Sequence, residues 1–150
     1  MKTINKFLKE SIEHYSLRCF LQCNGEFLLM KSNDVITDKE HWFLPGITID
    51  GNEDSTAAAY KVCKNQLGIN IEGQVMQSIK IKLNNNHSIK NAICFIINFN
   101  TVPEIEIQDK TSGDGYSDYK WITKSQFDKF YKNITGDAEV IEKIYKDIIK

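Results

Sequence analysis

The chain has 150 residues, of which 41% are hydrophobic and 26% charged, values typical of a single globular domain. Its 19 Lys and Arg residues nearly balance its 20 Asp and Glu residues, and Arg18 is the only arginine. Nucleic acids and anionic membranes both attract concentrated positive charge, so we expect neither as a partner. No apolar stretch approaches the ~18 residues of a membrane span, and the N-terminus lacks a signal-peptide core, so we expect a cytoplasmic protein.

Four cysteines, Cys19, Cys23, Cys63 and Cys94, are scattered along the chain. A zinc site would need further thiolates or imidazoles nearby at ligand spacing, and the sequence has none. Free cysteine is among the most often buried residue types. We therefore expect four buried structural thiols in a reducing compartment.

The first part of the chain predicts a helix and a β-hairpin. Apolar residues recur at helical spacing over about residues 3–14, which predicts a short amphipathic helix. Two strands follow, Leu17–Cys23 and Glu26–Met30, joined by Asn24 and Gly25. Asn-Gly supplies the positive φ angles that a type I′ turn requires, so the two strands should pair as a hairpin.

The remainder alternates between helical and strand patterns. Asp54 or Ser55 can cap a helix that runs to about Leu67. Gly68 follows at the position where helices often end in a left-handed residue. Thr123 and Gln126 have the spacing of a capping box. The further predicted elements are strands at Gln74–Leu83, Ile89–Asn100 and Tyr119–Ile122, a helix through Tyr131 and a final helix over about residues 137–149.

The segment from Trp42 to Ile69 carries the most specific pattern. An aromatic residue, Pro45 and Gly46 are followed by an acidic turn that ends in Glu53, and a helix then ends at Gly68-Ile69. This arrangement resembles the Nudix family, whose box would occupy residues 47–69 without a gap. The resemblance implies an α+β fold for one domain over residues 1–150: a Nudix-like α/β/α sandwich with a mixed, partly antiparallel sheet.

The box is degenerate where the family's chemistry takes place. Val62, Asn65 and Gln66 stand where the family has glutamates that hold Mg²⁺, and Lys61 replaces an arginine. Residues three and four apart share one helix face, so the three positions should lie together. Mg²⁺ prefers carboxylate and water oxygens, and these side chains carry no negative charge. We therefore expect no metal at Val62, Asn65 and Gln66, and no cofactor.

Three hypotheses about function stay open. The first is a Nudix-like protein that binds a nucleoside-diphosphate-type ligand, or a protein partner such as a second copy, without the usual hydrolysis. The second is a diverged, active, Mg²⁺-dependent hydrolase of nucleoside-diphosphate-linked substrates, and the third is a protein interaction module. The ligand-binding candidates of the first hypothesis are Gly46, Lys61, Asn65, Gln66 and Trp42, and the displaced acidic ligands of the second are Glu53, Asp50 and Asp118.

Aromatic residues offer a further, ambiguous signal. Trp42, Tyr60, Tyr116 and Tyr119 could stack on a base, as aromatic side chains do in nucleotide pockets. A tryptophan beside the loop is an equally good plug for the core beneath it. For Trp42 the sequence leaves both roles open, stacking on a base and filling the core.

Overall fold

The computed structural model describes residues 14–33, 41–84, 89–108 and 115–149. Those residues form seven strands: β1 (His14–Cys23), β2 (Glu26–Ser32), β3 (Trp42–Phe43), β4 (Gly46–Asp50), β5 (Val75–Asn84), β6 (Ile89–Asn98) and β7 (Tyr116–Thr123). The helices are α1 (Ser55–Leu67), α2 (Lys124–Gln126), which continues as a π-helix (Phe127–Tyr131), and α3 (Ala138–Asp147).

The predicted hairpin is confirmed. β1 and β2 pair antiparallel, with Gln22 opposite Phe27 and Cys23 opposite Glu26. In the turn between the two strands, Asn24 has a φ angle of 55° and Gly25 one of 79°. These left-handed values are the ones that a two-residue type I′ turn demands.

All seven strands belong to one mixed sheet in which β1 and β2 diverge from each other. The strand order is β3-β2-β1-β6-β5, with β4 also paired to β1 and β7 also paired to β2. β1 runs parallel to β6 and antiparallel to β2 and β4. The short link from β3 to β4 therefore crosses from the β2 part of the sheet to the β1 part.

Alternation along the strands gives the sheet two buried faces. In β1, Leu17 and Cys19 face α1, whereas Phe20 faces the π-helix and α3. We name the two clusters the α1-side core and the α3-side core. Since helices cover both faces, the predicted α/β/α sandwich and the mixed, partly antiparallel sheet are confirmed.

The predicted helix ends were partly wrong. The N-terminal helix lies outside the described residues except for His14, which is the first residue of β1, so that helix does not reach residue 14. The final helix is shorter than the predicted 137–149, since it spans Ala138–Asp147. The Thr123–Gln126 capping box is confirmed, but the helix after it turns into a π-helix through Tyr131.

All four cysteines are free and buried, as predicted. A hydrogen bond between the Cys19 and Cys63 thiols, together with burial, raises the pKa of Cys19 well above its ordinary value. Burial likewise raises the pKa of Cys94. Within the described parts of the chain, none of the helices has the length and apolar character needed to cross a membrane.

Candidate functional site

The loop of residues 44–46 approaches β1 closely and carries the first site residue. Gly46 pairs with Arg18, and the Cys19 amide donates to the Pro45 carbonyl at 2.8 Å. A Cβ on Gly46 would overlap the Leu17 carbonyl oxygen and come within 2.8 Å of Arg18 Cδ. This position therefore excludes any side chain, which accounts for glycine at Gly46 by packing alone.

Helix α1 keeps both of its predicted ends. The Asp54 carboxylate accepts hydrogen bonds from the Thr56 and Ala57 amides, at 3.0 and 3.2 Å. Gly68 ends the helix in the left-handed conformation, with φ at 69°. The helical frame of the box is thus intact, and Asp54 is a capping residue.

The three positions at which the resemblance would place glutamates have different surroundings. Val62 is 2% exposed and belongs to the α1-side core. Asn65 is exposed. Gln66 is half-buried, and its Nε2 donates to the Gly46 carbonyl at 2.8 Å. Its Oε1 is buried and receives no hydrogen bond from the described residues. The helix is therefore joined to the loop by an uncharged amide.

Two of the three displaced acidic candidates lie together. The Asp50 amide donates to Glu53 Oε1 at 3.4 Å, and Asp50 Oδ1 lies 2.9 Å from His14 Nδ1. Asp118 is on β7 opposite Lys31, where its Oδ1 accepts from the Tyr119 amide. Across the described ranges no three His, Cys, Asp or Glu side chains converge in a metal-binding group.

Trp42 and Lys61 have opposite environments. The Trp42 side chain is 4% exposed, lies in the α3-side core and meets Tyr131 edge-on at 5.7 Å. It fills the core beneath the loop, which is one of the two roles that the sequence left open, and a ligand-binding role for Trp42 stays a prediction. Lys61 is exposed on α1, one turn before Asn65.

A stripe of aromatic residues on β7 borders the α1 side of the sheet. Trp121 pairs with Leu28 and Tyr119 with Met30, and both partners belong to the α1-side core. Tyr119 is 37% exposed. Tyr60 is on the helix rather than on β7, and it packs against the α1-side core from that helix. Trp121 was missed as a candidate from the sequence, although its spacing of two from Tyr119 was a usable signal.

Tyr116 shares this face because of a β-bulge. The register between β2 and β7 shifts between Lys31 and Ser32, so Ser117 is left without a partner. Tyr116 consequently packs against the α1-side core. Burial raises its pKa to about 12, while the nearby backbone of Gly46 lowers it by a smaller amount. β7, the loop and α1 thus meet around Gly46.

An open pocket of about 740 Å³ lies at the C-terminal end of α1. Its lining includes Tyr60, Lys64 and Asn65 from the helix and Glu106 from the loop after β6. The Glu106 amide donates to the Leu67 carbonyl at 2.8 Å, which attaches that loop to the helix end. The pocket lies beside Asn65, and neither Glu53 nor Gln66 lines it.

An ion pair that sequence reasoning missed supports the loop from the other side. Arg18 Nε lies 3.0 Å from Asp137 Oδ1, and Asp137 Oδ2 accepts from the Leu44 amide at 2.8 Å. The available signal was weak: the one arginine of the chain stands between Leu17 and Cys19 in a strand with apolar neighbours. Nothing in the sequence connects it to Asp137.

Comparison with known proteins gives matches among solved structures. No protein-family model matches the chain, and neither does any curated protein sequence. Among solved structures, an Ap4A hydrolase from C. elegans is 18% identical, with 88% of this chain and 89% of that chain aligned and a TM-score of 0.56. The NUDIX domain of Shewanella oneidensis NrtR, solved with ADP ribose, is 13% identical, with 92% and 89% aligned and a TM-score of 0.65.

A third similar structure is larger. It is a bifunctional NMN adenylyltransferase/ADP ribose pyrophosphatase from Francisella tularensis, 16% identical, with a TM-score of 0.66. The match covers 99% of this chain and 45% of that protein, so this chain spans less than half of its length. At these levels of identity the likeness concerns the fold, and this chain has the Nudix fold.

Proposed function

We propose that this Nudix-fold chain binds a nucleoside-diphosphate-type ligand without metal-assisted hydrolysis. The hydrogen bond from Gln66 Nε2 to the Gly46 carbonyl, 2.8 Å long, is the observation that carries the proposal. A carboxylate facing a carbonyl offers two acceptors, and a cation between them would satisfy both. An amide N–H satisfies the carbonyl directly, so the contact between helix and loop needs no metal.

The side chains around this contact do not fit Mg²⁺. Val62 is apolar and buried, and Asn65 and Gln66 are neutral. Mg²⁺ dehydrates reluctantly and is usually held through carboxylates and phosphates in octahedral geometry. No hydrolytic step through a metal is therefore assigned to this face.

Binding of a diphosphate would then rest on other groups of α1. Lys61 and Asn65 are exposed and one helical turn apart, so they project from the same side. The Lys61 ammonium would offset phosphate charge, and the Asn65 amide would donate a hydrogen bond. Tyr119 and Trp121 offer rings on which the base of the ligand would stack. Any base can stack in this way, because every base has a π-face.

ADP ribose, the ligand of the Shewanella domain, is the first probe. Calorimetric titration with ADP ribose and a panel of nucleoside diphosphates, with and without Mg²⁺, should give binding that does not need the metal. No phosphate-bond cleavage should be seen. Lys61→Ala should weaken binding about tenfold, the effect of one charged contact. Lys129→Ala, an exposed lysine of the π-helix, is the matched control.

The other outcomes separate the remaining hypotheses. Mg²⁺-dependent product release would contradict the proposal and favour the diverged hydrolase. Loss of that activity in Asp50→Asn and Glu53→Gln would then assign the neighbouring acidic pair. No binding to any of the probes, with the melting temperature unchanged by them, would leave the protein interaction module.

A further inference from the structure

An ion pair lies beneath the loop of residues 44–46, largely removed from solvent. The side chains of Arg18 and Asp137 are 22% and 8% exposed, and their closest atoms are 3.0 Å apart. The carboxylate uses its second oxygen for the Leu44 amide at 2.8 Å, and Arg18 Nη1 donates to the Leu17 carbonyl at 2.9 Å. Both charged groups are thus committed to specific partners.

These contacts connect elements that are distant in sequence. Arg18 is on β1, and Asp137 precedes α3 on the opposite side of the sheet from α1, 119 residues later. Leu44 opens the loop that leads to Gly46, whose carbonyl receives the Gln66 amide. The side chain of Arg18 also covers Gly46, where a Cβ would meet its Nη1 at 2.8 Å. One ion pair therefore contacts both ends of the loop.

Stability alone does not account for such a pair. Removing two charges from water costs about as much as their attraction returns, and apolar residues of similar volume often serve equally well. A pair with three directional hydrogen bonds fixes geometry in a way that an apolar contact does not. Exchanging the two charges would not restore the arrangement, because the Leu44 amide needs an acceptor at position 137.

We infer that Arg18 and Asp137 are positioning residues: they hold the loop of residues 44–46 so that the Gly46 carbonyl accepts the Gln66 amide beside the proposed ligand site. The part of this inference that concerns ligand binding rests on the proposed function. The position of the loop itself is a property of the free protein. It can be measured without a ligand.

The test compares three proteins by NMR: the wild type, Asp137→Asn and Glu142→Gln. The last variant breaks the exposed ion pair, 3.1 Å long, between Glu142 of α3 and Lys132 at the end of the π-helix, and serves as the matched control. In Asp137→Asn, amide exchange at Cys19, whose N–H donates to Pro45, should rise at least about tenfold. The side-chain NH₂ resonances of Gln66 should shift, although Gln66 does not touch Asp137. The control should change neither.

Binding gives a second, separate measurement. ADP ribose affinity should fall about tenfold in Asp137→Asn, with the control unchanged. If the wild type binds neither ADP ribose nor any nucleoside diphosphate of the panel, the proposed function fails, and the NMR results alone decide whether the pair positions the loop. Unchanged Cys19 exchange and Gln66 resonances in Asp137→Asn would overturn the inference. Equal changes at every core amide would overturn it too, since they would indicate a general loss of stability.

A milder variant keeps the test decisive if Asp137→Asn does not fold. Arg18→Lys retains the charge but lacks the planar fork that reaches both Asp137 and the Leu17 carbonyl. Its Cys19 exchange and Gln66 resonances should change in the same direction by a smaller amount. Wild-type values for both would refute the positioning role.

Discussion

A glutamate placed at position 62 should reveal how this face of α1 responds to a carboxyl group. Val62 is 2% exposed in the α1-side core, so Val62→Glu would bring a carboxyl group into a buried, apolar site. Burial disfavours the charged form and raises the pKa of a carboxyl group above its ordinary value of about 4.3. The variant should therefore be destabilised, and the loss should depend on pH.

The size of the charge effect can be bounded. At pH 7 the folded protein can avoid a buried charge by protonating the carboxyl group, which costs about 1.36 kcal/mol for each pH unit above 4.3, or about 3.7 kcal/mol in all. Near pH 4.3 this penalty should vanish, and it should grow as the pH rises towards the folded-state pKa. For a domain of this size 3.7 kcal/mol corresponds to a melting-temperature loss of about 7–15 °C.

Val62→Gln is the matched control, because it has nearly the same shape and polarity but no charge. The measurement is the difference in melting temperature between the two variants from pH 4 to pH 8. A difference that stays near zero over this range would mean that position 62 faces solvent, and the burial argument would be refuted.

The triple variant Val62→Glu, Asn65→Glu, Gln66→Glu extends the test to the metal. Three carboxylates on one face should bind Mg²⁺, and at 100 times its dissociation constant the ion should stabilise the fold by about 2.7 kcal/mol. A triple variant that folds but does not respond to Mg²⁺ would show that the three side chains do not share a site.

Three further predictions concern single residues. Gly46→Ala should lower the free energy of unfolding by about 3 kcal/mol in urea titration, because a Cβ would overlap the Leu17 carbonyl; a loss below about 1 kcal/mol would contradict the close approach. Burial raises the pKa of Tyr116 and of Tyr145 to about 12, so the contribution of these two phenols to the free energy of unfolding should be constant below pH 10, the ordinary value, and fall as the pH rises from about 10 to about 12; phenylalanine at either position should reduce that slope. Asp54→Ala should cost about 1 kcal/mol by removing the cap that binds two helix amides, whereas Asp54→Ser should retain most of the stability.

The sequence by itself determined the features that depend on neighbouring residues. Asn24 and Gly25 predicted the hairpin turn, Gly68 the helix end, and Thr123 with Gln126 the capping box, and all were found. Each depends on backbone conformation within a few residues, which local side chains control. The resemblance of the box to the Nudix family likewise predicted the sandwich that the strands and helices form.

Tertiary structure alone decided which side chains meet at the site. Strand alternation would put Tyr116 and Tyr119 on opposite faces, and the bulge at Ser117 brings them to the same one. Trp42 is in the α3-side core because it pairs with Lys31 of β2, two residues from Leu29, and so lies on the same face of the sheet as Leu29.

The contacts at Gly46 depend on the same long-range packing. Gln66 donates to the Gly46 carbonyl although the two residues are 20 positions apart in the sequence. Arg18 and Asp137 are 119 positions apart. A register shift or a long-range hydrogen bond depends on how whole elements pack. The local sequence carries no record of that packing.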